Sequence, residues 1–195
     1  MASDQTLVAI GVPSGDMVHA DFAMSLANLS RHPGPPFFLM NAKSSLVAIG
    51  RNQCVAAALL AKATHLLFLD SDMTFPVTTL TRLLAHDKDV VGAVYSQRVS
   101  PFHPLGVTDA GEHKHITKGM HRMRIIPTGC MLIRTALFAK IPKPWFNTIA
   151  DGDHILGEDY YFCEQVRRAG FDVWCDGDLS RDIGHIGQTV YKLQG

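Results

Sequence analysis

Apolar residues in the first half of the chain come in two alternating textures. Four short runs are apolar almost throughout: Leu7–Val12 (LVAIGV), Phe37–Met40 (FFLM), His65–Leu69 (HLLFL) and Val90–Tyr95 (VVGAVY). They predict strands covered on both faces, because a strand with one wet face alternates apolar and polar instead. Between them the apolar positions recur at helical spacing. Val18, Phe22, Leu26 and Leu29 lie on one stripe of a helix over 18–29. Residues 51–63 (RNQCVAAALLAKA) are rich in alanine and leucine, the strongest helix formers. After Pro76, Val77, Leu80, Leu83 and Leu84 mark a third helix over 77–87, with proline tolerated near its start. The order β-α-β-α-β-α-β predicts an α/β unit with helices on both sides of a parallel sheet.

The second half is less regular. Residues 96–124 carry Gly106, Gly111, Gly119 and four histidines, His103, His113, His115 and His121, and read as a loop or hairpin excursion. A strand over 131–134 (MLIR), a short helix over 135–141 and a Pro- and Gly-rich loop over 142–157 follow. EDYYFCEQVRRAG, 158–170, predicts a helix closed by Gly170, since glycine accepts the left-handed backbone past a helix end. FDVWCD is a last strand, and 179–195 reads mostly as loop. With neither repeat nor linker, the 195 residues are expected to form one domain.

Charge and composition narrow the function. Eighteen Lys and Arg balance eighteen Asp and Glu, which argues against a protein that coats nucleic acid or an anionic membrane. An apolar share of 47% at zero net charge excludes a disordered chain. Cys54, Cys130, Cys163 and Cys175 show no CxxC and no zinc-finger spacing, so they read as packing thiols in a reducing compartment. The chain lacks the marks of a signal peptide and any run of about 18–20 apolar residues, so the expected location is the cytoplasm.

Candidate chemistry starts at LFLDSDMTFP, where Asp70 and Asp72 end an apolar strand. Ligands of open α/β sheets bind beyond those strand ends, and two carboxylates so spaced can hold a hard divalent cation. The plainer reading is a pair of Asx turns before the next helix. In GEDYYFCEQVRRAG, Glu158 and Asp159 either answer the helix dipole or supply a general base to the crevice. His185, in DIGHIG, is a surface histidine or a metal ligand to which glycines allow close approach. The run HKHITKGMHRMR holds Lys114, Lys118, Arg122 and Arg124, a solvated loop or a patch for an anionic acceptor; His113 and His115 could also hold a metal.

Taken in order, GRNQCVAAALLAKATHLLFLDSD, TGCMLIRTALF, GEDYYFCEQVRRAG and a late GH resemble the GT-A glycosyltransferases, and most closely the family 2 type. The resemblance implies a Rossmann-like three-layer α/β/α sandwich with a mostly parallel central sheet, its nucleotide-binding half over 1–95 and its acceptor and catalytic half over 96–195. It implies a metal-dependent, inverting transfer of a sugar from a nucleotide-diphosphate donor, UDP- or GDP-linked first, to a hydroxyl acceptor. Asp72 would bind Mn²⁺ or Mg²⁺, with Asp70 facing the ribose or assisting and His185 as a late metal ligand. Pro13 and Ser14 would line the base pocket, with Arg51, Asn52 and Ser71 nearby. Asp159 would be the base, oriented by Glu158, and the Gly129–Cys130 turn a wall on the sugar side. The first strand departs from the family pattern, reading GVPSGD, and the small size suggests that a dimer or another partner completes the acceptor site.

Two rivals share some of these residues. FLDSDMTF also fits the hhhhDxDxT signature of haloacid-dehalogenase-like phosphatases, with Asp70 as nucleophile, Asp72 as acid/base, Thr74 in place, Ser96 ending a strand and GDLSRD (177–182) as a metal motif. In that family the nucleophile follows the first strand, whereas here βαβα precedes Asp70. The other rival is a non-catalytic nucleotide-sugar-binding domain.

Overall fold

The computed structural model describes residues 6–98 and 103–187. In chain order the elements are β1 (Val8–Ser14), α1 (Ala20–Ser30), β2 (Phe37–Lys43), α2 (Val47–Leu60), β3 (His65–Leu69), β4 (Met73–Thr74), α3 (Thr79–Ala85), β5 (Val90–Gly92), β6 (Val107–Thr108), β7 (Met120–Ile125), β8 (Cys130–Arg134), a 3-10 turn (Thr135–Ala139), β9 (Ile149–Asp151), β10 (His154–Leu156), α4 (Glu158–Arg168), β11 (Val173–Asp176), α5 (Gly177–Asp182) and β12 (Gly184–His185). Eight strands form one sheet in the order β2-β1-β3-β8-β5-β11-β7-β6. β1 pairs in parallel with β2 and β3, and β5 with β11. β8 runs antiparallel between β3 and β5, and β7 runs antiparallel between β11 and β6. Six strands thus point one way and only β7 and β8 the other, the mostly parallel α/β sheet that the apolar runs imply.

Side-chain alternation along the strands splits the core into two layers, one on each face. Ala9, Leu66, Phe68 and Met131 join Val55 and Ala58 of α2 and Phe162 and Val166 of α4. Val8, Ile10, Leu67 and Leu132 join Phe22 and Leu29 of α1, Leu80 and Leu83 of α3 and Leu179 of α5. This is why the strands read as apolar on both sides. The four cysteines are all buried and free, as expected of packing thiols.

Several boundaries depart from the pattern for local reasons. α2 starts at Val47 rather than at Arg51, because the Ser44 hydroxyl accepts from the Leu46 amide (3.1 Å) and turns the chain into the helix a turn early. The 96–124 excursion contributes β6 and β7, and β7 joins the main sheet through β11. The expected loop over 142–157 contains the β9–β10 hairpin. Residues 179–187 are more ordered than expected, and 188–195, also read as loop, lie outside the described residues. Asp176 accepts from the Leu179 amide (2.8 Å) and so caps α5, after which β12 pairs antiparallel with β4. Gly170 has φ +84° and closes α4 as predicted. No helix among the described residues is long and apolar enough to cross a membrane.

Candidate functional site

The crevice lies where β1, β3 and β5 end, the position at which parallel α/β sheets gather ligands. β3 delivers Asp70 to it, and α4 brings Glu158 and Asp159 at its N-terminus. Between them sits Arg51 of α2, only 2% exposed. Its Nη1 and Nη2 donate to the two oxygens of Asp70 (2.9 Å each), and its Nε donates to Glu158 Oε1 (3.1 Å). The guanidinium also lies over the Phe68 ring at 5.2 Å. Although burial works against its charge, Asp70 and then Glu158 raise the pKa of Arg51 above the ordinary value. A planar fork matched to a carboxylate is the geometry that such an environment rewards. This clamp also disfavours Asp70 as a phosphatase nucleophile, since both of its oxygens are engaged.

Gly129 completes the floor. Its amide donates to the Tyr95 hydroxyl (2.9 Å), and its carbonyl accepts from the Asp70 amide (3.1 Å). A Cβ at Gly129 would overlap the Tyr95 hydroxyl and press on Asp70, so only glycine lets these groups approach. Gly129 and Cys130 are both buried, with the Cys130 side chain in the core. Burial, with the nearby Asp70 charge, pushes the Tyr95 hydroxyl well above its ordinary pKa.

Asp72 faces a different set of partners. Because Gly184 pairs with Thr74 and His185 with Met73, the β4–β12 ribbon carries the late histidine to the DSD turn. The Ile186 amide donates to the Asp72 carbonyl (2.7 Å). His185 Nε2 lies 3.5 Å from Asp72 Oδ2, while its Nδ1 donates to the Ser96 carbonyl (2.9 Å). The ring stands edge-on to Tyr95 at 4.9 Å. A carbonyl can only accept, so the Nδ1 proton is fixed and Nε2 aims either a lone pair or a second proton at Asp72. Arg98 Nη1 donates to the same Asp72 oxygen at 2.8 Å. Burial favours the neutral form of both groups, but the contact outweighs it: His185 is raised above, and Asp72 held below, their ordinary values.

Asp159 folds back toward its own helix, accepting from the Tyr160 amide (2.7 Å). Burial and then the adjacent Glu158 raise its pKa, against the pull of Tyr160 and Arg51. The remaining predicted positions have structural partners. The Asn52 amide donates to Ala48 O and Phe146 O and accepts from the Trp145 and Phe146 amides, which fixes the turn at 145–146. Ser14 Oγ accepts from Asn41 Nδ2 (2.8 Å), Pro13 beside it is buried, and the Ser71 carbonyl accepts from the His19 amide (3.1 Å). Two cations of the basic run are paired, Arg122 with Asp109 (2.8 Å) and Arg124 with Glu164 (2.8 Å). Among the described residues no three His, Cys, Asp or Glu side chains converge as a metal-binding group. Asp70, Asp72 and His185 are therefore not assembled as one triad: Asp70 turns to Arg51, and Asp72 and His185 pair.

Three participants escaped the sequence reading: Tyr95, Arg98 and Asn41. Tyr95 and Arg98 follow the end of β5, and Asn41 lies near the end of β2, so the rule that ligands gather past parallel strands was the one signal available.

No family model and no curated protein matches the chain. Among solved structures, A197 from STIV superposes with a TM-score of 0.62 at 14% identity, over 97% of this chain and 98% of that one. S. aureus TarS 1-349 superposes with a TM-score of 0.53 at 16% identity, over 89% of this chain and 58% of that one. The same fragment in complex with UDP-GlcNAc gives a TM-score of 0.53, with 56% of that chain covered. The chain thus spans a little over half of the TarS fragment. At these identities the likeness is one of fold, and it agrees with the Rossmann-like α/β sandwich expected from the sequence.

Proposed function

We propose that this chain is a GT-A glycosyltransferase of the family 2 type that takes a sugar from a UDP- or GDP-linked donor and transfers it to a hydroxyl acceptor with inversion. The observation that carries the reading is the β4–β12 ribbon, which brings His185 to the second acid of the DSD turn at the rim where parallel strands end. The TarS fragment, which shares the fold, was solved with a nucleotide sugar.

A carboxylate oxygen and an imidazole nitrogen facing each other at 3.5 Å suit a shared cation. Two protein ligands are enough for Mg²⁺ or Mn²⁺, since phosphate oxygens and water usually fill the remaining positions. Such a cation, when bound, supplies charge stabilisation to a departing diphosphate. The chain's own residues do the rest. Arg51 holds Asp70 and Glu158 rigid, and so fixes the turn from which Asp72 projects. Pro13, Ser14 and Asn41 border the end of β1, where the base would lie. Asp159 takes the acceptor proton, a task suited to a carboxyl whose pKa is raised by burial and a neighbouring acid. One base and one displacement give inversion without a covalent intermediate.

Calorimetric titration of UDP, GDP, CDP and TDP, with Mn²⁺ or with EDTA, tests the reading. One nucleotide should bind with metal and lose at least about tenfold in affinity in Asp72→Ala. Asp159→Asn should bind normally while turnover falls by about 10²–10⁴. Failure of every nucleotide to bind overturns the transferase; binding of donor sugars without any turnover leaves a non-catalytic binding domain.

A further inference from the structure

The carboxylate that the proposed function gives to a metal already has a cation on it. Arg98 Nη1 sits 2.8 Å from Asp72 Oδ2, the same oxygen that faces His185 Nε2 at 3.5 Å. Arg98 is not part of the fold's framework: its side chain is 52% exposed, and it has none of the burial of Arg51. It also borders a cavity of about 360 Å³ reached past Ser96, Gln97, His115 and His185, and among the described residues no carboxylate lines that cavity. A guanidinium leaving Asp72 therefore finds room but, among the described residues, no other acid lining that cavity.

Resting on the glycosyltransferase reading, we propose that Arg98 is a displaceable counter-cation of the metal site. It neutralises Asp72 in the metal-free protein and must leave Oδ2 before a divalent cation can use that oxygen. Three features carry the inference: the shared oxygen, the exposure of the arginine and the acid-free space beside it. Half-exposed ion pairs are weak and easily exchanged, so Arg98 sets a threshold for metal binding rather than a block. The second consequence concerns the freed guanidinium. It remains at the rim, where it can pair with a phosphoryl oxygen of the donor, because Arg is the side chain best matched to that group. Metal and nucleotide then enter in a linked fashion: the cation releases the arginine that the diphosphate recruits.

The test measures Mn²⁺ binding directly by electron paramagnetic resonance of the free ion, without nucleotide, in the wild type, Arg98→Ala, Arg98→Lys and Asp72→Ala. Arg98→Ala should bind Mn²⁺ about fivefold more tightly, the scale set by a surface ion pair, and Arg98→Lys should fall between it and the wild type. In the presence of Mn²⁺, UDP should bind Arg98→Ala about tenfold more weakly, as expected for the loss of one charged phosphate contact. Circular dichroism melting checks that all three variants fold. If Mn²⁺ binding depends on Asp72 but Arg98→Ala binds no more tightly, the counter-cation is overturned while the metal site stands. If Mn²⁺ binding is absent or indifferent to Asp72 in all four proteins, the metal reading fails and takes this proposal with it. If UDP binds without metal and only Arg98→Ala abolishes binding, Arg98 is the permanent cation of the site and displacement is wrong.

Discussion

Arg51 commits all three of its guanidinium nitrogens to carboxylates, two to Asp70 and one to Glu158, which lies 107 residues away in the chain. Removing the guanidinium leaves two largely buried acids facing each other, and breaking a buried pair from one side typically costs about 3–5 kcal/mol. Arg51→Met should therefore lower stability by roughly that amount in urea unfolding, and Arg51→Lys should recover only part of it, because an ammonium cannot reproduce the fork. A loss below about 1 kcal/mol would mean that the node is not what holds the site together. Asp72, Glu158, Asp159 and His185 stand out in the sequence, each within a short string of distinctive neighbours. The role of Arg51 does not. The motif marks it as a residue near the nucleotide, and only the packed structure shows its charge spent on Asp70 and Glu158. Nothing about a lone arginine after a strand marks Arg98 either, since its partner is set by how close β5 comes to the DSD turn.

At the scale of elements, α5 and β12 were the least legible part of the chain and they matter most to the site. Elements of six and two residues are too short to show a period, so the tail read as loop. What orders it is Asp176, which caps α5 and also contacts His86 Nε2 (2.8 Å) and Arg82 Nη2 (3.5 Å). Burial works against its charge, but these partners win and hold its pKa below the ordinary carboxyl value. A depressed carboxyl contributes stability above the unfolded-state pKa, near 4, and loses it as pH falls through the folded value. Asp176→Asn should accordingly be less stable than the wild type at pH 7, by about 2–3 kcal/mol for a buried charge-assisted network. That gap should narrow in urea midpoints measured near pH 3; a gap equally wide at both pH values would show that the charge is not the source.

At the scale of the whole molecule, the alternation of apolar runs with helical stripes was enough to read a sheet sandwiched between helices. It could not reveal that β8 runs backwards, because a strand buried on both faces has the same apolar signature in either direction, and β7, with His121 and Arg122 exposed, lies in a stretch that reads as a loop or hairpin excursion. The cysteines follow the same logic: they fill the two core layers, and burial pushes Cys54 and Cys175 up to about 11 and Cys163 up to about 12. Ellman's reagent should therefore label the native protein at least about tenfold more slowly than the urea-unfolded chain, since the thiolate is the reactive form. One thiol reacting at the unfolded rate would show that its core layer is open. The β4–β12 ribbon has a consequence in the order of assembly. Every strand of the central sheet precedes Gly177, so the sheet can close without Gly184 and His185, and the ribbon docks onto a finished frame. A frame that closes independently of the ribbon allows the imidazole facing Asp72 to be lost or replaced without loss of shape.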